Sequence, residues 1–109
     1  MKKDNKVYLE DMLVSIEAIE EYIADKQEID LANNPMLRDA MVRRFEVLGE
    51  AATRLSKDFA EVNPDFPVRI VVAMRNLLIH DYDTIRIEKL WETIQDDLPD
   101  LKKKIEQLL

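Results

Sequence analysis

Apolar residues recur along this chain at three- and four-residue steps, which is the period of an amphipathic helix and not of a strand. Leu9, Met12, Leu13, Ile16, Ile19 and Ile23 form the first stripe and predict a helix from about Asn5 to about Glu28. Asn34-Pro35 then reads as an N-cap followed by a first helical residue. It opens a second helix with Leu37, Met41, Phe45, Leu48, Ala52 and Leu55 on one face. Gly49 falls inside that helix, where glycine is roughly 1 kcal/mol less favourable than alanine, and close approach of a neighbouring helix is the packing reason for it. Asn63-Pro64-Asp65-Phe66-Pro67 is the strongest break in the chain. A third helix is predicted from about Pro67 to His80, then a loop centred on Asp81 to Thr84. A fourth carries Ile87, Leu90, Trp91, Ile94 and Leu98, and Pro99 is expected to reset the chain before a last short helix with Leu101, Ile105 and Leu108. With no internal repeat and no low-complexity linker, the pattern predicts one domain over residues 1–109. Its fold class is all-α, a five-helix antiparallel bundle of two long and three short helices.

The third helix departs from a single stripe. Ile70, Val71, Met74, Leu77 and Leu78 cluster on one side, while Val68, Val72 and Ile79 fall on roughly the opposite side. A short helix that is apolar on two faces must bury both. The second face is expected to meet another copy of the chain, giving a homodimer; a central position in the bundle is the alternative. Arg75 and Tyr82 would share one border of the second stripe, and Asn76 and His80 the other.

Composition narrows the chemistry. One glycine and four prolines leave no glycine-rich phosphate loop and argue against sandwiches and barrels. The chain has no cysteine and a single histidine, so neither a thiolate zinc site nor a histidine-rich metal site is expected, and no cofactor is called for. Met1 to Lys6 has no apolar run behind it and no stretch reaches membrane-spanning length, so no membrane association and a cytoplasmic location are expected. Trp91, Phe45 and the methionines are assigned to packing.

The net charge of −7 is unevenly spread. Residues 1–37 balance at −5, residues 38–75 at +1 and residues 76–109 at −3. Such a chain does not grip nucleic acid by bulk phosphate neutralisation. The middle stretch holds Arg38, Arg43, Arg44, Arg54, Arg69 and Arg75, which read for the most part as a solvated helical surface. A helix-turn-helix DNA reader built on Arg38, Arg43 and Arg44 would lack both a recognition helix and the basic excess.

One cluster suits phosphodiester cleavage without a metal. A histidine near its unperturbed pKa of about 6.5 can take a proton from a ribose 2′-hydroxyl or give one to a leaving oxygen. An arginine can pair bidentately with the phosphate and stabilise charge that develops in the transition state. His80, Arg75 and Asn76 supply those groups, and a symmetric dimer would supply two histidines across its axis. On position alone, His80 is equally well a helix C-terminal residue favoured by the macrodipole, and Arg75 a partner of Asp81 or Asp83. A hydrolase triad and a dimetal bundle site both lack the residues they need.

The stretch Arg75-Asn76-Leu77-Leu78-Ile79-His80-Asp81-Tyr82 resembles the signature of the HEPN superfamily, an arginine followed at close spacing by a histidine. The tyrosine two places beyond the histidine points to its HepT-like branch. Residues 44–55 (RFEVLGEAATRL) resemble the family's second-helix segment, residues 63–67 its proline-containing link, and residues 90–109 its C-terminal helices. Where many relatives carry an aromatic residue after the second proline, this chain has Val68.

The resemblance implies a five-helix HEPN-like bundle that dimerises with the motif at the cleft between protomers. It implies a metal-independent ribonuclease acting as the toxin of a two-gene toxin–antitoxin module, with RNA as substrate. The partner would be a nucleotidyltransferase antitoxin of the MntA type. By the same resemblance Arg75 and His80 are the catalytic pair, Asn76 a supporting polar residue, and Tyr82 the acceptor of AMP. The competing reading is a non-catalytic helical module that docks onto a nucleotidyltransferase, because a cleft able to hold phosphate need not cleave it.

Overall fold

A computed structural model of the chain describes residues 4–69, 71–72 and 87–109. Helix α1 (Asn5–Ile23) starts where Asp4 accepts from the Lys6 backbone N–H at 3.3 Å. It buries Leu9, Met12, Ile16, Ile19 and Ile23 of the stripe read from the sequence, while Leu13 is half-buried against the core. The expected extension to Glu28 is not observed. The chain turns after Ile23, with the Lys26 N–H bonded to the Ile23 carbonyl at 2.9 Å, and a separate short helix α2 (Glu28–Asn33) follows. Neither glycine nor proline marks that turn. The apolar period simply stops at Ile23, and Leu31, wholly buried, restarts it in a new direction.

Helix α3 (Pro35–Thr53) opens as predicted. Asn34 Oδ1 accepts from the Leu37 N–H at 3.1 Å, and Pro35 takes the first turn, where its missing N–H is not needed. The guanidinium of Arg38 reaches back to the Leu31 and Ala32 carbonyls at 2.9 and 2.7 Å. These belong to the C-terminal turn of α2, whose carbonyls have no intrahelical partner. Asn34→Ala removes one cap and should lower stability by about 1 kcal/mol, read as a shifted urea midpoint at constant slope. An unchanged midpoint would mean that the cap is not made in solution.

Helices α1 and α3 lie antiparallel against each other along most of their length. Asn5 and Ser56 exchange two hydrogen bonds at 2.9 and 3.0 Å at one end of the pair, while Arg44 donates to Tyr22 at 3.3 Å at the other. Gly49 is buried on α3, as its packing role required. Ser56 also caps α4 (Lys57–Val62), accepting from the Phe59 N–H at 3.1 Å. This second short helix was not read from the apolar period. Phe59 meets Phe66 edge to face at 5.3 Å, closing the link onto the core.

The C-terminal arm differs from the sequence expectation at Pro99. Helix α5 (Ile87–Glu92), a π turn (Thr93–Asp97) and helix α6 (Leu98–Leu108) run on without a break. In a regular α-helix the Pro99 ring would press on the carbonyl of Gln95 and leave it unbonded. The π turn removes that conflict: the Leu98 N–H bonds to the Thr93 carbonyl five residues back, and the wider turn takes up the register change. Leu90, Ile94, Leu98, Leu101 and Ile105 then stay on the buried side. α6 rests against α1, where Lys102 donates to Glu20 at 2.8 Å. That carboxylate holds the Lys102 ammonium above its ordinary pKa.

The all-helical, HEPN-like bundle expected from the sequence is the fold observed, and no strand occurs among the described residues. Phe45, Met12 and Met41 are core residues as assigned, and Trp91 packs half-buried against them. Met36 is a correction, because it stands 83% exposed at the start of α3. Among the described residues no helix is long and apolar enough to cross a membrane.

Candidate functional site

Arg75, Asn76, His80 and Tyr82 lie outside the described residues, as does most of the predicted third helix. What the structure places is the frame on either side. On the entering side, the Phe66 N–H bonds to the Asn63 carbonyl at 3.0 Å and folds the proline link into a turn. A helix begins just after Pro67, as expected, and its first bond runs from the Val71 N–H to the Pro67 carbonyl at 3.1 Å. Val71, on the predicted core stripe, is 1% exposed. Val68 and Val72, on the predicted second stripe, are half-buried and packed at the margin of the core. All three therefore touch the same core, and the remaining residues of both stripes lie outside the described residues.

On the leaving side, Leu90 is wholly buried and α5 packs on α2. Val71 and Leu90, which flank the motif in sequence, are both buried in the same core cluster.

Two clefts lined by elements flanking the motif in sequence are acidic. One of about 300 Å³ lies between Pro67 and Val71 and the carboxylates of Asp96, Asp97 and Asp100, with Lys104 at its edge. Another, of about 450 Å³, is lined by Glu28, Ile29, Ala32, Ile87 and Glu88. Carboxylates at these densities repel a phosphate backbone at low salt. Among the described residues no group of three or more histidines, cysteines or carboxylates is placed to hold a metal ion.

The described arginines of α3 do different jobs. Arg38 caps α2, and Arg43 pairs with Glu46 at 3.5 Å across one helical turn. Arg44 does neither. Its guanidinium lies 5.9 Å from the centre of the Tyr22 ring and donates to the Tyr22 hydroxyl. Reading the arginines from sequence as a solvated surface missed this half-buried position. The available signal was the absence of charge around it, since Ala40, Met41, Val47 and Leu48 occupy the positions three and four residues away.

An all-helical bundle whose sequence carries an Arg75-Asn76…His80…Tyr82 motif is the class of protein that fold and sequence define. The family described as "Ribonuclease HepT-like" matches residues 12–108, and the chain belongs to it. Over 108 residues it is 37% identical to "Probable ribonuclease HepT" of Thermococcus cleftensis, covering 99% of this chain and 98% of that protein. It is also 39% identical over its full length to "Gamma-glutamylcyclotransferase and putative RNase MJ0434" of Methanocaldococcus jannaschii, of which it spans 49%. No solved structure gives a significant match.

Proposed function

We propose that this chain is a metal-independent endoribonuclease, a homodimer with the motif at the cleft between protomers, and the toxin of a two-gene module. The observation that carries this reading is the family match over residues 12–108, which contains the complete Arg75-Asn76…His80…Tyr82 motif. The name of the T. cleftensis relative, similar over nearly the whole of both chains, points the same way. The reading places the chain in the cytoplasm and takes residues 1–109 as one helical domain.

The chemistry follows from the residue types. His80 of one protomer takes the proton of a ribose 2′-hydroxyl, and the 2′-oxygen attacks the adjacent phosphorus. The bond from phosphorus to the 5′-oxygen breaks, and His80 of the other protomer protonates that oxygen as it leaves. A 2′,3′-cyclic phosphate and a free 5′-hydroxyl result. Arg75 pairs with the non-bridging oxygens as charge accumulates on them, and Asn76 orients His80 or holds the phosphate.

The cognate antitoxin is a nucleotidyltransferase of the MntA type. The Tyr82 hydroxyl attacks the α-phosphorus of ATP, loses its proton and forms a phosphodiester to AMP while pyrophosphate departs. The adduct puts one negative charge and a nucleotide beside the cleft, so both charge and bulk oppose RNA entry.

The test is incubation of the chain, purified without a partner, with cellular RNA in excess EDTA. Intact mass is read first, because AMP already on Tyr82 would also silence the protein. Unmodified protein should cut RNA at a rate that EDTA leaves unchanged. A folded, unmodified dimer that leaves RNA intact would replace this reading with the docking module.

A further inference from the structure

We propose that Arg44 and Tyr22 form a second phosphate-binding point, which holds the RNA strand outside the cleavage motif. The inference rests on the ribonuclease reading and extends it to residues on α1 and α3.

The argument begins with what Arg44 lacks. A guanidinium carries five N–H donors and stays charged at any physiological pH. When such a group is partly buried it is usually paired, because removing an unpaired charge from water is costly. Arg44 is half-buried, yet among the described residues no carboxylate forms an ion pair with it. Its hydrogen bond there is a single donation to a neutral phenol, at 3.3 Å, from Nη2.

The neighbourhood explains why no carboxylate reaches it. Along α3 the flanking positions are Ala40, Met41, Val47 and Leu48. In the turn after α1, the Asp25 carboxylate is 3.4 Å from Lys26 Nζ. Glu46, the nearest acid along α3, pairs with Arg43 instead. In a chain of net charge −7, and in its least acidic third, Arg44 has no ion-pair partner among the described residues.

Tyr22 adds geometry. The guanidinium lies 5.9 Å from the Tyr22 ring centre and donates to its hydroxyl, so the phenol offers Arg44 contacts through both the ring face and the oxygen. A planar fork of donors, with several donors unused, is suited to the non-bridging oxygens of a phosphodiester. Such a contact positions a strand without reading its bases.

The test is binding of a fluorescent single-stranded 2′-O-methyl RNA oligonucleotide, which lacks the attacking hydroxyl and stays intact, to the full chain between 50 and 200 mM KCl. Arg44→Gln should weaken binding about tenfold, equally for two unrelated sequences. The slope of log affinity against log salt should become shallower by about 0.7, the value for one phosphate on a single strand. Arg44→Lys keeps the charge and should keep the slope while losing part of the affinity. A purely structural role would lower the melting temperature and leave the salt slope alone, and that result overturns the proposal. So does an Arg44→Gln protein that binds as the wild type does. If the wild-type chain binds no oligonucleotide even at 50 mM, the ribonuclease reading falls as well.

Discussion

If His80 is the general acid and base of the proposed ribonuclease, His80→Ala should lower the rate of RNA cleavage by about 10²–10⁴-fold, the range a positioned general acid or base contributes. The melting temperature, and on the dimeric reading the oligomeric state, should be unchanged, because the described core is built on residues such as Val71 and Leu90. Arg75→Lys separates charge from geometry: it keeps the cation but loses the fork that grips two oxygens at once, so a large loss of rate is expected there too. Mixing experiments carry the argument further. If His80 of one protomer is the base and that of its partner the acid, a dimer with one altered chain is inactive. An equal mixture, re-equilibrated, then contains about a quarter wild-type dimers and should retain about a quarter of the activity. Two independent sites per dimer would instead leave about half. An alanine protein that cuts RNA at the wild-type rate would remove His80 from the mechanism.

How much could be read from sequence varied with the kind of signal. Where a local pattern carries the structure, the reading held. Asn34-Pro35 starts α3 because an amide side chain and a missing N–H both suit a helix N-terminus, and the cap is made. The stripe from Leu9 to Ile23 is buried because the period of three and four leaves it no other face. The misreadings share a cause, which is tertiary packing overriding a local rule. Pro99 read as a break, yet buried Leu98, Leu101 and Ile105 hold the arm on one course and the π turn absorbs the ring. Met36 read as core from residue type alone, while the turn at Asn34 leaves it in solvent. The first helix was drawn too long because the turn after Ile23 contains neither glycine nor proline. For the candidate site, Arg75, His80 and Tyr82 are legible as spacing within eight residues. Arg44 is not: its partner Tyr22 stands 22 residues away on another helix, and only the folded bundle brings the two together.

Phe45→Ala should cost about 3–5 kcal/mol, a large part of the 5–15 kcal/mol that holds a domain of this size together. Phe45 is 1% exposed on α3, the helix that packs along α1, in one cluster with Met12, Ile16, Met41 and Leu48. Truncation to alanine removes the transfer free energy of the ring and leaves a cavity that two long, packed helices cannot readily close. The expected readout is a lower urea midpoint at unchanged slope, with a fall in melting temperature on the order of 15 °C or more. Met36→Ala serves as the control, because an 83% exposed side chain should shift stability by no more than about 0.5 kcal/mol. The two substitutions together test the placement of the core and not merely the tolerance of α3 to alanine. A small loss at Phe45, or equal losses at both positions, would show that the α1–α3 contact is not the centre of the bundle. Val71 and Leu90, which flank the motif in sequence, belong to that same cluster, so on the ribonuclease reading cleavage by Phe45→Ala should fall off at lower temperature than in the wild type, in step with its unfolding.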